Sequence, residues 1–340
     1  MNFCQDWPDE QVFLRWIALR FPPRNGHRAR VARVSLFFLV VMLSAGCATQ
    51  RPSARAWPRH RLAADQITLL TPPNRDRFDA SALLLTPSGD LLTLRDNSGP
   101  LLYRIELLPG GGEARLVALG DCFTTPQVAA LGRGGVDQEL DCEGIAQDEQ
   151  GRFYVCEERR RWILRCDPKT GQTERLPIDW SPVKDFFSPL DSNASFEGVA
   201  VGKGRLYVAN ERSSPVIIVV DLASLRVTGH FVVYPKTSSL LGTHYSDLCW
   251  FEDRLWVLCR QHRAVLEVNP ETHAVLAEFD YSDLERELGY RIGLPLGIME
   301  GLAVSRDTIW LATDNNGADR ARARGDIRPT LVRCPRPDRR

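Results

Sequence analysis

The sequence has no net charge, and that absence excludes one broad class of function. Its 340 residues contain 43 Lys and Arg against 43 Asp and Glu, so bulk positive charge cannot drive binding to nucleic acid. A charged fraction of 25% with a hydrophobic fraction of 44% also excludes an intrinsically disordered chain. The length is sufficient for one large domain or two ordinary domains with hydrophobic cores.

The motifs of several common enzyme classes are missing as well. The chain has no G-x-S-x-G nucleophile elbow, no G-x-x-x-x-G-K-[ST] phosphate loop, and no H-x-H or H-E-x-x-H spacing. Its nine cysteines include no C-x-x-C pair, which argues against a zinc ribbon or a thioredoxin-like site. Cys122 and Cys142 flank one loop, and we expect these two to pair if the protein reaches an oxidising compartment.

Long hydrophobic runs are scarce, and the one that could enter a membrane lies near the N-terminus. Several arginines precede an apolar stretch at residues 34–43, and small residues follow it. This order is typical of an export signal, and the stretch is too short to span a membrane comfortably. The ending Leu43-Ser-Ala-Gly-Cys47 resembles a bacterial lipobox, which implies cleavage before Cys47 and lipidation of that cysteine. An ordinary cleaved signal and an uncleaved anchor are the alternatives.

These features divide the chain into three parts. Residues 1–46 are the signal segment, with a true start that we expect further along the chain. Residues 47–62 comprise the lipidated cysteine and a flexible tether rich in Arg and Pro. Residues 63–340 form one folded domain. Because Ala48 rather than Asp follows the cysteine, the lipobox resemblance implies the outer membrane, with the domain facing the periplasm.

An internal repeat organises the folded domain. Each copy is an apolar run, a polar turn and a second run rich in aromatic and β-branched residues, which is the pattern of a β-hairpin. A third strand and a weaker fourth follow most copies, so the repeat measures about fifty residues. The copies begin at Ser81, Glu143, Glu197, Ser246 and Glu300. Four antiparallel strands per repeat predict an all-β chain folded as a β-propeller, with an open β-sandwich as the alternative.

The ends of the domain predict how the ring of blades closes. The last copy ends after its third strand, at residues 329–334, whereas an apolar strand at residues 66–70 precedes the first copy without a partner. If that N-terminal strand completes the last blade, no sheet edge is left bare. This arrangement gives five blades; six is the alternative.

The first residues of the five copies are candidate metal ligands. Because the first strand of a blade lines the central channel, Ser81, Glu143, Glu197, Ser246 and Glu300 are expected at one level of its mouth. Two charges about 5 Å apart at an effective dielectric near 20 repel by roughly 3 kcal/mol, so three converging glutamates favour protons or a cation. An all-oxygen ring suits one axial Ca²⁺. The alternative is that each glutamate accepts backbone N–H groups from the neighbouring blade as a structural latch.

A second row stands where the second strand of each copy ends. Antiparallel pairing returns this row to the face that carries the first row. We expect the row and its flanking arginines to bind substrate or ligand, or alternatively to form salt bridges between blades. These candidates are Asp96, Glu158, Glu211, Arg260 and Asp314, together with Arg159 and Arg212.

The repeated motifs resemble a known family. Asp141-Cys-Glu-Gly-Ile-Ala, Phe196-Glu-Gly-Val-Ala and Met299-Glu-Gly-Leu-Ala are similar to those of the SdiA-regulated and phytase-like propeller proteins, which are exported bacterial proteins. The ring order Ser, Glu, Glu, Ser, Glu is also similar to that of the calcium-activated nucleotidases. That second resemblance implies five blades and implies that the ring residues are calcium ligands.

Three functions are compatible with these residues. The first is a binding or scaffold module of the cell envelope, stiffened by calcium, that recruits an anionic small molecule or an envelope protein through its arginines. The second is a calcium-dependent phosphoesterase. The third is a lactonase-type esterase. We expect the first, because no general base with a partner is evident, and we expect no contact with nucleic acid and membrane attachment through the lipid alone.

Overall fold

The computed structural model describes residues 57–74, 77–96, 102–131, 140–191, 193–212, 214–292 and 296–337. The N-terminal strands are β1 (Arg59–Arg61) and β2 (Gln66–Thr71). Blade 1 comprises β3 (Ala80–Leu85), β4 (Leu91–Arg95), β5 (Leu102–Leu107) and β6 (Glu113–Ala118). Blade 2 comprises β7 (Cys142–Gln147), β8 (Phe153–Glu157), β9 (Trp162–Asp167) and β10 (Gln172–Arg175).

The second half of the chain repeats this pattern. Blade 3 comprises β11 (Phe196–Gly202), β12 (Arg205–Asn210), β13 (Val216–Asp221) and β14 (Arg226–Phe231). Blade 4 comprises β15 (Tyr245–Phe251), β16 (Arg254–Cys259), β17 (Ala264–Val268) and β18 (Val275–Asp280). Blade 5 begins with β19 (Met299–Val304), β20 (Thr308–Thr313) and β21 (Thr330–Pro335). Two short helices, α1 (Thr125–Leu131) and α2 (Ser282–Leu288), lie between blades.

The N-terminal strand closes the ring as the sequence predicts. β2 pairs antiparallel with β21, with Gln66 opposite Arg333 and Leu69 opposite Thr330, and so becomes the fourth strand of blade 5. It also pairs in parallel with β6, the outer strand of blade 1. The prediction of an all-β propeller is confirmed. Among the described residues, strands β2 to β21 form five groups of four strands. The blade count of five, rather than six, stays a prediction.

The inner strands form a continuous ring. Each of β3, β7, β11 and β15 contacts the inner strand of the next blade, and β19 returns to contact β3. Hydrophobic clusters fill the spaces between neighbouring blades; one of them joins Val199 and Val208 of blade 3 to Tyr154 of blade 2. Burial of these alternating apolar residues on both faces of each blade is what stacks the sheets side by side.

Glycines let the inner strands approach closely. A Cβ added at Gly144 would lie 2.7 Å from the Gly198 Cα, and one added at Gly198 would lie 2.7 Å from the Asp247 Cα. These close approaches explain why glycine follows Glu143 and Glu197 in the sequence. Among the described residues, no helix has the length and apolar character needed to cross a membrane.

The chain enters blade 4 earlier than the sequence indicates. Residues 59–61, placed in the flexible tether, form β1 in parallel with β18. The Arg59 guanidinium makes ion pairs with Asp280 at 2.8 Å and with the fully buried Glu278 at 3.4 Å. The Pro58 carbonyl also accepts the Glu278 N–H at 3.0 Å. These contacts fix the end of the tether to the outer edge of the blade.

The expected disulfide between Cys122 and Cys142 is wrong, because Cys122 pairs with a different cysteine. Cys122 bonds Cys166, on the third strand of blade 2, with a Cα–Cα distance of 5.7 Å. Cys142 is buried and unpaired because it lies on the inner strand β7, whereas Cys122 follows the outer strand β6. The bond therefore links the loop after blade 1 to the sheet of blade 2.

We predict that this disulfide makes a measurable contribution to stability. It closes a loop with a sequence separation of 44 residues, so its removal should lower the free energy of unfolding by about 3 kcal/mol. Urea unfolding of the Cys122→Ala/Cys166→Ala variant measures the loss. The single variant Cys334→Ala, which removes a buried free thiol elsewhere, controls for loss of packing. Equal stability of the double variant and the wild type would contradict the prediction.

Candidate functional site

The starts of the inner strands and the ends of the second strands meet at one end of the channel. The Glu158 N–H donates to the Asp141 carbonyl at 2.8 Å, which joins the two rows within blade 2. The Glu211 N–H donates to the Ser195 carbonyl at 2.7 Å in blade 3. The structure therefore brings the two predicted rows to the same face. We refer to this end of the channel, which carries both predicted rows and the acids beside them, as the acidic mouth.

One group of carboxylates lies at the junction of blades 1 and 2. Ligand atoms of Asp96, Asp141 and Glu143 lie within 4.8 Å of one another. Burial raises the pKa of Glu143 well above its usual range, and the neighbouring charge of Glu197 adds to that effect. The Arg159 Nε lies 2.7 Å from Asp141 Oδ2, so this predicted ligand-binding arginine already has a carboxylate partner.

A second group lies at the junction of blades 2 and 3. Ligand atoms of Glu158, Glu197 and Glu211, all buried, lie within 4.8 Å of one another. Burial, followed by the charge of Glu197, raises the pKa of Glu158 to about 9. Burial raises the pKa of Glu197 to about 7 against the lowering effect of Arg260 and Arg212. This group therefore holds protons at neutral pH unless a cation replaces them.

Arg260 connects acids of two other blades. This arginine of blade 4 hydrogen-bonds both Glu211 of blade 3 and Glu300 of blade 5. Its contacts are inter-blade salt bridges, the alternative role predicted for the second row. Arg212, in contrast, pairs within blade 3 with Glu211 and, at 3.3 Å, with Asp191 of the loop that enters this blade.

His244 also belongs to this part of the mouth. Its Nδ1 lies 3.2 Å from Glu211 Oε1. Burial, with the nearby charges of Arg260 and Arg212, lowers the pKa of His244 to about 4, so the ring is neutral at physiological pH. A neutral imidazole does not offset the carboxylate charge.

The two ring serines act as latches between blades. Ser81 Oγ donates to the Cys142 carbonyl at 2.9 Å, and Ser246 Oγ donates to the Met299 carbonyl at 3.0 Å. Of the three ring glutamates, Glu143 and Glu197 fall in different acidic groups, and Glu300 faces Arg260. The described carboxylates thus cluster at blade junctions, and a single axial Ca²⁺ held by all five ring residues stays a prediction.

The centre of the ring holds an aspartate at the position directly after the ring residue, where the other four copies carry Gly or Ala. Asp247 is fully buried, and its carboxylate accepts backbone N–H groups from three blades. These donors are Leu302 at 2.7 Å, Leu248 at 2.8 Å and Leu83 at 3.3 Å. Burial raises its pKa, and the three donors oppose that rise. The signal available in the sequence was the single charged residue where other repeats carry Gly or Ala.

Sequence reasoning also missed a third group, at the junction of blades 5 and 1. Asp314, a predicted member of the second row, lies beside Asp79, and Arg77 Nε donates to Asp79 Oδ1 at 3.0 Å. Burial, followed by the charge of Asp79, raises the pKa of Asp314 to about 7. Asp79 and Asp141 each stand two residues before a ring residue, which is the signal that could have identified both.

Negative charge exceeds positive charge at the acidic mouth. Among the described residues, the two predicted rows together with Asp79, Asp141, Arg77, Arg159 and Arg212 contain nine carboxyl groups and four guanidinium groups. The acids are Asp79, Asp96, Asp141, Glu143, Glu158, Glu197, Glu211, Glu300 and Asp314, and the bases are Arg77, Arg159, Arg212 and Arg260. Buried like charges this close together repel unless protons or cations compensate them.

We predict that stability falls as pH rises when divalent cations are absent. The raised pKa values of Glu158, Glu197 and Asp314 mean that the folded state binds more protons than the unfolded state. Their contribution is complete below an unfolded pKa of about 4 and disappears as pH rises through their folded values. Between pH 6.5 and 9 the free energy of unfolding should fall by about 2 kcal/mol.

Urea unfolding in excess chelator at these two pH values measures the change. His244, whose pKa is lowered, acts in the opposite direction and only below its ordinary pKa of 6.5, which lies outside this window. A Glu158→Gln variant should show a smaller decrease. Stability that is constant or increases across the window would contradict the assignment.

A cavity of about 950 Å³ lies at the other end of the channel. It is bounded by the turns between first and second strands, with Leu84, Val201 and Trp250 on its walls. Its lining mixes apolar and charged side chains and contains none of the predicted site residues. The clustered titratable groups therefore identify the acidic mouth, and not the cavity, as the candidate site.

The fold and the mouth define a β-propeller with a carboxylate-rich channel entrance, and sequence comparison places it in a family. The phytase-like family model, described as esterase-like activity of phytase, matches residues 79–317. The chain belongs to this family, so the resemblance seen in the sequence is confirmed. Comparison with curated proteins finds no match.

One solved structure agrees on the fold, and a second is less similar. Glutaminyl cyclase of Myxococcus xanthus is 13% identical, with a TM-score of 0.54 over 82% of this chain and 97% of that chain. The PQQ-bound aldose sugar dehydrogenase of Streptomyces coelicolor is 14% identical, with a TM-score of 0.43 over 81% and 98% of the two chains. At these identities the similarity concerns the fold alone.

Proposed function

We propose that this protein is an exported, lipid-anchored propeller whose acidic mouth binds calcium and, with it, an anionic ligand or an envelope protein. The observation that carries the proposal is the excess of carboxylates over guanidinium groups at the mouth. Two groups of three acids supply oxygen ligands within 4.8 Å, which is the donor chemistry that Ca²⁺ prefers. The lipid anchor at Cys47 and the periplasmic location are parts of this proposal and lie outside the described residues.

The residues fit a hard cation better than a soft one. Glu158, Glu197 and Glu211 would hold it at one blade junction, and Asp96, Asp141 and Glu143 at another. These groups contain carboxylate oxygen and neither cysteine nor histidine as their members. When bound, Ca²⁺ would neutralise the mouth and could polarise a phosphoryl or carboxyl oxygen of a ligand.

The arginines supply the complementary half of the site. Arg159, Arg212 and Arg260 place guanidinium N–H donors beside the two acidic groups. Guanidinium groups bind phosphate and carboxylate through paired hydrogen bonds, so these arginines can donate hydrogen bonds to an anion at the mouth. Because the arginines now contact carboxylates, anion binding should depend on prior compensation of those acids by a cation.

A calcium-dependent phosphoesterase is the second candidate. Membership of the phytase-like family favours it, and so does the carboxyl of Glu158, whose raised pKa keeps a proton beside the Glu197 carboxylate. A carboxyl group of this kind can act as a general acid toward a leaving oxygen. Binding remains the preferred function because no side chain in the described mouth is identified as a nucleophile or as an orienter of water.

Equilibrium dialysis with radioactive Ca²⁺ tests the cation, and titration with inorganic phosphate in calcium or in chelator tests the anion. We expect calcium binding in the wild type, weaker binding in Glu197→Gln, and phosphate binding only with calcium. Arg212→Ala should weaken phosphate binding about tenfold, the effect of losing one charge-assisted pair of about 1.4 kcal/mol. Calcium-dependent hydrolysis of p-nitrophenyl phosphate would establish the second candidate, and absence of calcium binding would overturn both.

A further inference from the structure

Exposed leucines lie on three successive blade-to-blade loops at the end of the channel that carries the acidic mouth. Leu190 is 88% exposed, Leu240 is 93% exposed, and Leu241 and Leu296 are 38% and 40% exposed. Single exposed leucines are ordinary, but apolar residues concentrated around one opening mark an interaction surface. We call Leu190, Leu240, Leu241 and Leu296 the leucine rim.

Contacts with mouth residues fix the position of the leucine rim. Leu190 precedes Asp191, whose carboxylate pairs with Arg212. The Leu241 backbone hydrogen-bonds His244, which contacts Glu211.

Leu296 occupies an equivalent position at blade 5. It precedes Gly297, whose N–H donates to Gln261 Oε1 at 3.2 Å. A Cβ at Gly297 would lie 2.2 Å from the Arg260 carbonyl oxygen, so this backbone packs directly on the mouth arginine. The rim therefore stands on the same end of the channel as the acids.

The N-terminal segment arrives at one of these loops. Lys236, in the loop that carries Leu240, donates from Nζ to the Trp57 carbonyl at 2.8 Å and lies 4.7 Å from the Trp57 ring centroid. Residues 232–243 contain no Asp or Glu and also expose Tyr234, at 54%. An apolar and aromatic loop with one lysine is suited to the interface of a bilayer.

The length of the tether limits where the lipid can be. Ten residue steps separate Cys47 from Trp57, and an extended chain spans at most about 3.5 Å per step, or roughly 35 Å in all. The tether thus sets an upper limit on the distance between a lipid on Cys47 and Trp57. An apolar loop beside the lipid adds to the membrane attachment that the lipid itself supplies.

From these observations we propose that the leucine rim lies on the lipid bilayer, so that the acidic mouth faces the membrane surface. This inference rests on the lipid anchor of the proposed function for its biological setting. It goes beyond the expectation that the lipid is the sole membrane contact. It implies that an anionic ligand reaches the mouth from the headgroup layer.

The test replaces the native anchor, so that it does not depend on lipidation. The chain that cleavage before Cys47 leaves, with Cys47→Ser and an N-terminal hexahistidine, binds phosphatidylcholine vesicles that contain nickel-chelating lipid. An environment-sensitive fluorophore is attached at Leu240→Cys or, as the matched control, at Leu107→Cys. Leu107 is 45% exposed on the β5–β6 turn, at the opposite end of its blade.

The proposal predicts a blue shift and quenching by spin-labelled lipid at position 240, with neither at position 107. Equal responses at the two positions would overturn it. In flotation without the nickel lipid, Leu190→Ser/Leu240→Ser should bind vesicles about tenfold more weakly than Leu107→Ser/Leu108→Ser. Calcium titration of the same proteins in solution separates the two hypotheses, because insertion without calcium binding overturns the proposed function alone.

Discussion

Replacement of Gly198 by alanine is expected to disrupt the propeller or to lower its free energy of unfolding by about 4 kcal/mol or more. The new Cβ would lie 2.7 Å from the Asp247 Cα and 2.8 Å from the Leu248 backbone nitrogen. Both contacts are with backbone of the neighbouring inner strand, which cannot move aside without opening the ring. Overpacking of a rigid core is destabilising even for one methyl group.

Gly229→Ala is the matched control for this effect. Gly229 also lies in a strand of blade 3, but no atom lies within 4 Å of its added Cβ, and its φ is not in the left-handed region. The Gly229→Ala substitution should leave the free energy of unfolding unchanged or raise it by a few tenths of a kcal/mol, because alanine is the better strand residue. Urea unfolding followed by far-UV circular dichroism compares the two. Similar stabilities would show that the inner strands are not packed as described.

Replacement of Asp247 by alanine is expected to have the second-largest effect. The carboxylate is the common acceptor for N–H groups of blades 1, 4 and 5, so its removal leaves three buried donors without partners. Each unsatisfied buried donor costs about 1–3 kcal/mol, so a total loss of about 4 kcal/mol is expected after partial relaxation. Asn at this position keeps the shape and one acceptor oxygen and should lose about half as much.

An exposed aspartate of the same blade provides the comparison. Asp253 is exposed on the turn after β15 and pairs with Lys203 at 3.1 Å, an ion pair whose removal should cost under about 1 kcal/mol. Thermal unfolding compares Asp247→Ala, Asp247→Asn and Asp253→Asn. Asn is used at position 253 because the backbone φ of 56° there disfavours alanine. If Asp247→Asn is no less stable than Asp253→Asn, the carboxylate does not hold the blades together.

The features that local sequence patterns determine were predictable. Each hairpin is an alternation of apolar residues ended by a polar turn, and the unpartnered strand Gln66–Thr71 indicated how the ring closes. The two acidic rows followed from the repeat, because antiparallel pairing fixes which end of a blade each row occupies.

The features that depend on contacts between blades were not predictable. The pairing of Cys122 with Cys166 depends on how two sheets pack, and flanking positions in one loop do not report that. The attachment of Arg59 to Glu278 joins residues far apart in the chain. Likewise, the division of the acids into groups at blade junctions depends on the lateral offset between a second strand and the next first strand. The position of Asp247 in a row of small residues was visible, but its three donors were not.

The most direct test of the calcium site is a melting curve of the chain in excess EDTA and again in millimolar Ca²⁺. Wild type is compared with Glu197→Gln and with Glu149→Gln, a change of an exposed acid at the other end of the channel. Ca²⁺ at a hundredfold over Kd should add about 2.7 kcal/mol and raise Tm by a few degrees. The account predicts this rise in wild type and Glu149→Gln and its loss in Glu197→Gln. Equal melting temperatures with and without Ca²⁺ in all three proteins would contradict it.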